Sequence, residues 1–359
     1  MKTKLLKSSD KNDFVEWRQL CDSMHECDIY FYPQYAKIYE LNNEGEAYCF
    51  IYYKNENDFI IYPFLKRKIN SLDVFKNLTE EYFDLKSPYG YGGYLRSKSC
   101  SIDMNFFLNF FHEFCKENHI IAEFIRFNPW LKTQGDCNGF LDVNRWNQVV
   151  VIDLTKSESD IWFEYDSKNR NRIRKSIKSN VVVKQDSNFN YLNEFIKLYH
   201  QTMGRKEALT YYYFDSQYFR NLIDFLHNNI TLFHAWHEDK IIASLLVIFS
   251  NNYVHAHLLG SDQNYYNLAP CNLLFHEVAI WSKKQGFSLF CIGGGKTPSS
   301  NDTLFQFKKK FSKKYYDFCI GKKIHDKNVY ELLCQKKVEY MEANDVKKLD
   351  ENFFPKYYR

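Results

Sequence analysis

Residues 231–295, TLFHAWHEDKIIASLLVIFSNNYVHAHLLGSDQNYYNLAPCNLLFHEVAIWSKKQGFSLFCIGGG, decide the fold. Their apolar period changes along the stretch. Segments 231–236 and 241–249 are apolar runs around His237-Glu238-Asp239-Lys240, which predicts a hairpin. Asn251 and Asn252 turn the chain again, and 253–259 alternates like a third strand. A polar loop, 260–270, follows. Segment 271–284 reads as a helix that Gly286 ends. Segment 287–292 reads as a buried strand running into Gly293-Gly294-Gly295. The order is β-β-β-loop-α-β.

Upstream, 157–179 reads as a helix with a serine cap and with Trp162, Phe163, Ile173 and Ile177 as apolar anchors. Helices are also expected at 188–203 and 216–228. The first half repeats the order more faintly. Helices at 12–24 and 33–41 precede strands at 46–54 and 59–66 around an Asn55–Asp58 turn. A short strand at 91–96, a helix at 102–118 and a strand at 120–127 follow. Phe106, Phe107, Phe110 and Phe114 are expected on the apolar side of that helix. The repeat is one of topology rather than of sequence. It predicts an α/β (α+β) protein of two similar domains, 1–150 and 151–325. Each would be a mixed, mostly antiparallel sheet flanked by helices, and 326–359 would be a helical extension.

Composition bounds the rest. Phe 32, Tyr 28 and Trp 6 make the 359-residue chain 18% aromatic, whereas Gly (13) and Pro (7) are scarce. Such a chain is neither a linker nor a repeat of low complexity. A net charge of +4 excludes a wholly basic nucleic-acid binder, so any basic site is local. No apolar run approaches the ~20 residues of a membrane span, and the first residues hold no signal-like apolar core. The expected location is the cytoplasm, including the inner face of the membrane. The ten cysteines contain no pair closer than six residues, so zinc-type pairs are absent and most read as small buried hydrophobes.

Four segments carry residue types suited to chemistry. The loop and helix start at 260–274 offer free amides and a helix dipole to a phosphate, with Gly260, Ser261 and Asn272 around it. A plain strand-to-helix loop is the bland alternative. Gly293, Gly294 and Gly295, followed by Lys296-Thr297, resemble the tail of a phosphate loop. Phe290 stands where the first glycine belongs, and Pro298 opposes a following helix, so nucleotide hydrolysis is excluded. Three glycines in a Gly-poor chain still mark a close backbone approach. The run at 168–178 puts Lys168, Arg172 and Lys175 on one helix face, and Arg170 and Arg174 on another. Arginine forks suit phosphates, although a solvated face has the same pattern. Finally, Phe305-Gln306-Phe307-Lys308-Lys309-Lys310-Phe311 flanks three lysines with aromatics. His255 and His257 form a metal-like pair without a third ligand, and no metal is expected. Cys271 at a helix start is expected to have a lowered pKa.

In this order, KNRNRIRKSIK (168–178), YHQTMGRKEALTYYYF (199–214), HLLGSD (257–262), LAPCNLLFHEVAIWSKKQG (268–286) and NDTLFQFKKKF (301–311) resemble the FemAB-like acyltransferases of the GNAT superfamily. SPYGYGGYL (87–95) and EFIRFNP (123–129) extend the resemblance, which covers about residues 30–320. It is strongest to members acting on sugar or cell-envelope precursors. It implies two tandem GNAT-like domains and transfer of an acyl group to an amine of a small-molecule or nucleotide-linked acceptor. The main expectation is transfer from acyl-CoA to an amino-sugar nucleotide or another cell-surface polysaccharide precursor. The alternatives are transfer from aminoacyl-tRNA to a peptidoglycan precursor, and a non-catalytic binding module. A homodimer is left open.

By motif, the resemblance makes Lys168, Arg170, Arg172 and Arg174 phosphate contacts. It places Arg205, Tyr212 and Tyr213 at the acceptor cleft, with Tyr91 and Arg126 as further substrate contacts. Gly260, Ser261, Asn272 and Gly293–Gly295 are expected at the donor. Lys308 matches the FK position of the family's FKxxF segment and is expected to stabilise the oxyanion or bind the donor. Asp302, Asp84 and Glu277 are the carboxylates considered as base, Asp302 foremost. The chain departs from the family in two ways. The long helical hairpin of larger members is missing, and the GNAT pyrophosphate signature is not intact at 260–272.

Overall fold

The computed structural model describes residues 2–137, 139–344 and 353–358. The chain divides into two compact units. Met1–Met24, Tyr30–Trp146 and Phe318–Arg359 make the first, and His25–Ile29 and Asn147–Asp317 make the second. In chain order the elements are β1 (Lys2–Lys7), α1 (Lys11–Asp22), α2 (Pro33–Leu41), β2 (Glu46–Asn55), β3 (Asp58–Lys68), β4 (Phe83–Lys86), β5 (Leu95–Arg96), α3 (Met104–Glu117) and β6 (Ile120–Arg126). Then come β7 (Asp142–Asp153), α4 (Glu158–Glu164), α5 (Ser167–Lys178), β8 (Val181–Asp186), α6 (Leu192–Arg205), α7 (Ser216–Leu226), β9 (Ile230–His237), β10 (Lys240–Ser250) and β11 (Tyr253–Ser261). The last are α8 (Pro270–Lys284), β12 (Leu289–Gly294), α9 (Thr303–Lys308), β13 (Lys314–Ile324) and α10 (Lys327–Ala343).

The fold is mixed α/β, as expected, and each unit holds a mixed, mostly antiparallel sheet with helices. In the first unit the order is β1-β2-β3-β4-β6-β13, with β5 also on β3. Only β4 and β6 run parallel. Helix α3 buries Phe107, Phe111 and Cys115 against Phe50, Tyr62 and Tyr94. Phe106 and Phe110 are instead 65% and 46% exposed, so the apolar face is turned by one position from the expected one. The C-terminal stretch packs into this unit. Tyr330, Leu333 and Tyr357 share a core with Ile69, Phe75, Ile121 and Ala122.

In the second unit the order is β7-β12-β11-β10-β9-β8, and only β11 and β12 run parallel. The hairpin of β9 and β10 forms as its apolar runs require. Its residues Phe233, Leu245 and Val247 join Leu274, Val278 and Phe290 in one core. The expected single helix at 157–179 is two. Asp166 ends the first by capping the second, accepting from Lys168 N–H at 2.7 Å. This break leaves Phe163 71% and Ile177 53% exposed rather than anchoring the core.

Candidate active site

The second unit contains an opening between strands. β11 and β12 pair only over Tyr253–His255 and Leu289–Cys291, and both then continue without pairing to each other. Each strand is irregular just past that point. β11 shifts register against β10 after Leu246, and β12 shifts against β7 between Cys291 and Gly293. Such bulges bend a strand and re-aim its side chains.

Lys308 lies beside the parted end of β12. Its Nζ donates to Gly294 O at 2.9 Å, within reach because a Cβ on Gly293 would sit 2.9 Å from that nitrogen. Burial pushes the ammonium's pKa down to about 8, against the pull of Cys291 and Asp302. Gly294 lies against Gln148 O, where a Cβ would come within 2.5 Å, and Gly295 against the Asp302 carboxylate. The three glycines are therefore explained by neighbours in this unit, and their use in binding a donor stays a proposal.

Asp302 has a different role from the expected base. Oδ1 accepts from Leu304 and Phe305 N–H, both at 2.9 Å, and so caps α9. Oδ2 accepts from Lys296 N–H, Thr297 N–H and the Thr297 hydroxyl. Burial works against its ionised form, but these donors outweigh it and hold the carboxyl below its usual range. An acid with five donors is a poor proton acceptor. The other two carboxylates are no better placed. Asp84 belongs to the first unit, buried on Arg67 and Tyr357. Glu277, raised by burial, lines a cavity with Trp162 and His276 on the outer side of α8.

At the far end of β11, the expected phosphate cradle is built differently. Gly260 is a packing glycine, because a Cβ there would lie 2.5 Å from Tyr199 N in α6. Ser261 is held by Thr202, whose hydroxyl accepts from Ser261 N–H at 3.0 Å. Arg205 Nη2 donates to Ser261 O at 3.3 Å, and its guanidinium lies over the Tyr266 ring. Asn272 ties α8 to α5 by donating to Asn169 Oδ1 at 2.7 Å. The start of α8 offers few amides. Pro270 has none, and Asn272 N–H returns to Ala269 O. The Cys271 thiol, expected to be acidic, is instead pushed up to about 11 by burial. Tyr212 presents its carbonyl to the Tyr199 hydroxyl at 2.6 Å, and Tyr213 is exposed beside His200.

The basic run divides. Arg170 donates to the Phe163 and Tyr165 carbonyls, closing the end of α4. Arg174 lies over Trp162 and donates to Asn171. These two are occupied locally. Lys168, Arg172 and Lys175 are exposed, and their side chains make no hydrogen bond or ion pair among the described residues. Lys310 O accepts from Asp166 N–H and the Asn169 side chain, so exposed Lys309, Lys310 and Lys313 continue the same basic surface.

In the first unit, Tyr91 and Arg126 do come together. Tyr91 sits edge-on to Tyr30, Trp130 and Phe318 at 5.2, 5.5 and 5.4 Å between centroids. Arg126 Nε donates to Gly90 O at 3.0 Å, with its guanidinium over Phe318. They form an aromatic floor with one cation.

Sequence reasoning missed a buried group in the second unit. His255 Nε2 lies 2.8 Å from Asp28 Oδ1, and both side chains are almost fully buried. Cys291 is the rung partner of His255 on β12. His255 and His257 read in the sequence as a metal-like pair without a third ligand, and among the described residues no three His, Cys, Asp or Glu side chains are placed to hold a metal ion. Asp28 carried no signal at all.

Comparison with known proteins fits this geometry. Residues 167–309 match the family model described as an acetyltransferase (GNAT) domain. The crystal structure of FemX superposes with a TM-score of 0.69 at 14% identity, covering 92% of this chain and 99% of that one. The UDP-N-acetylmuramoylpentapeptide-lysine N(6)-alanyltransferase of Weissella viridescens is 27% identical over 190 residues, half of this chain and 54% of that protein. Residues 167–309 thus carry a GNAT-type domain, and the chain shares the fold of FemX. The chain spans about half the length of the curated relative that it matches. L-PGS from Bacillus licheniformis shares the fold more distantly, with a TM-score of 0.54 at 11% identity, covering 88% of this chain and 92% of that one. None of the described helices is long and apolar enough to cross a membrane.

Proposed function

We propose that this FemAB-like chain is an aminoacyltransferase. It moves an aminoacyl group from the ribose ester of a tRNA to an amine of a peptidoglycan precursor carrying a UDP-N-acetylmuramoyl peptide. The observation that carries this is Lys308, a partly buried ammonium at the parted strands with its pKa lowered to about 8. A cation there stabilises the oxyanion formed when the amine attacks the ester carbonyl.

Three things favour this donor and acceptor over the acyl-CoA and amino-sugar pair expected from the sequence. The Weissella relative is named as an alanyltransferase acting on such a precursor. The start of α8 lacks the row of amides that would hold a CoA pyrophosphate. Unpaired Lys168, Arg172 and Lys175, continued by Lys309, Lys310 and Lys313, suit the spaced phosphates of a nucleic acid.

The test supplies alanyl-tRNA or acetyl-CoA, each with UDP-N-acetylmuramoyl pentapeptide and with a UDP-amino sugar. Products are read by mass spectrometry. One alanyl group added to the pentapeptide from tRNA is expected. Acetylation of the amino sugar from CoA, with no transfer from tRNA, would overturn the reading.

A further inference from the structure

The Lys308 side chain is long and rotatable, and its hydrogen bond to Gly294 O does not by itself fix where the ammonium stands. The backbone that carries it must be held as well. Lys308 ends α9, a helix of six residues, and the turn Lys309–Phe311 follows. Asp302 fastens the start of α9 through Leu304 and Phe305 N–H. Phe311 fastens the end of the turn. It is fully buried, with its ring 5.6 Å from Tyr165 and 5.3 Å from Phe275. Between these points Lys309 and Lys310 are exposed. What anchors that corner is the Lys310 carbonyl. It accepts Asp166 N–H at 2.9 Å and the Asn169 side-chain amide at 3.2 Å.

Asn169 stands out on its helix. α5 is rich in Lys and Arg, and Asn169 is one of three buried residues on it, with Ile173 and Ser176. Its side chain is fully buried. A buried amide is costly unless both of its ends are bonded. Here both are. A carbonyl only accepts, so Nδ2 faces Lys310 O. Oδ1 is left to accept, and it takes Asn272 Nδ2 of α8 at 2.7 Å. One side chain thus joins α5, the start of α8 and the corner after Lys308. The exposed face of α5 carries Lys168, Arg172 and Lys175. The basic face and the Lys308 corner therefore share one anchor.

We infer that Asn169 is the positioning residue of Lys308. By tying the Lys310 carbonyl to α5 and α8, it holds the Lys308 ammonium beside the parted end of β12. This rests on the transferase reading above, in which that ammonium faces the oxyanion. Without the anchor the corner loosens and water reaches the ammonium. Two changes follow. Burial now pushes the pKa of Lys308 down to about 8, and hydration relieves that push, so the proton is held to higher pH. The cation also drifts from the place where charge develops, which costs rate rather than binding.

The test titrates Lys308 directly. The full chain is labelled with trace acetic anhydride across a range of pH, and acetylation of the Lys308 peptide is followed by mass spectrometry. The wild-type amine should titrate at about 8. In Asn169→Ala it should titrate about one pH unit higher or more. Asn169→Leu fills the same space without charge or hydrogen bond, should act alike, and is read in its place if the alanine variant fails to fold. Ile173→Val thins the core on the same helix. It should lower the melting temperature and leave the titration where it is. With alanyl-tRNA and UDP-N-acetylmuramoyl pentapeptide, kcat of Asn169→Ala should fall about ten- to a hundredfold while KM stays within about threefold. The fall of its rate with rising pH should move up with the titration. A folded Asn169 variant in which Lys308 titrates as in the wild type overturns the positioning role, and so does an equal shift in Ile173→Val. A wild type that moves nothing from tRNA overturns the transferase reading instead. The titration needs no transfer, so it still judges Asn169 in that case.

Discussion

The two parallel strand pairs invite comparison, because the same local topology is closed in one unit and open in the other. In the first unit, β4 and β6 pair from Phe83 to Lys86, and the closure continues beyond the strands. Ser87 N–H donates to Phe124 O at 3.0 Å, Gly92 N–H to Arg126 O at 2.6 Å, and Asn128 N–H to Gly92 O at 2.9 Å. In the second unit, the pairing of β11 with β12 stops at His255 and Cys291. Both places are rich in glycine. Gly90, Gly92 and Gly93 let a loop fold back over the strand end, with Gly90 pressed on the Tyr30 ring. Gly293 and Gly295 admit a lysine and an aspartate side chain instead. Glycine-rich sequence therefore signals close approach, and the neighbour decides whether it seals a strand or furnishes a site.

The largest effect expected from this contrast is at Lys308. Lys308→Ala should lower kcat by about 10²–10³-fold with little change in melting temperature. If the ammonium is the acting form, the wild-type rate falls as pH rises through about 8, where the cation is lost. A rate that climbs through that range would mean that neutral Lys308 acts, as a base. Next come the glycines. Gly90→Ala drives a Cβ to 2.3 Å from Tyr30 at a φ of +96°, and should cost about 2–3 kcal/mol of stability, read by chemical denaturation. Gly293→Ala, at a φ of +79°, should cost about 1 kcal/mol yet lower kcat about tenfold or more by displacing Lys308. Equal stability losses without the difference in rate would erase the contrast.

What was legible in the sequence follows the same physics. The β9–β10 hairpin could be read because both strands are buried runs joined by a polar turn. The edge strands could not. β1 (KTKLLK) buries only Leu6, and β8 (VVVKQD) only Val181 and Asp186, so neither shows an apolar run or a full alternation. The Asp28–His255 pair was not legible either, because its members lie 227 residues apart in the chain and meet through a side-chain hydrogen bond. Asp302 was misread because a capping carboxylate and a catalytic one look alike in sequence.

The smallest expected effect lies outside the opening. Replacing Lys168, Arg172 and Lys175 together with alanine should weaken tRNA binding and flatten its dependence on salt. The slope of log affinity against log salt should fall by about 2–3, one phosphate contact per cation. Arg174→Ala, a residue occupied by Trp162 and Asn171, should leave that slope unchanged.

The account turns on aminoacyl transfer at the open strand pair, and a single-turnover experiment tests it most directly. Labelled alanyl-tRNA is mixed with excess protein and UDP-N-acetylmuramoyl pentapeptide, and the label is followed by chromatography. The label should move to the pentapeptide with the wild type and stay on tRNA with Lys308→Ala. Label that stays on tRNA with the wild type, or moves equally fast with the variant, would contradict it.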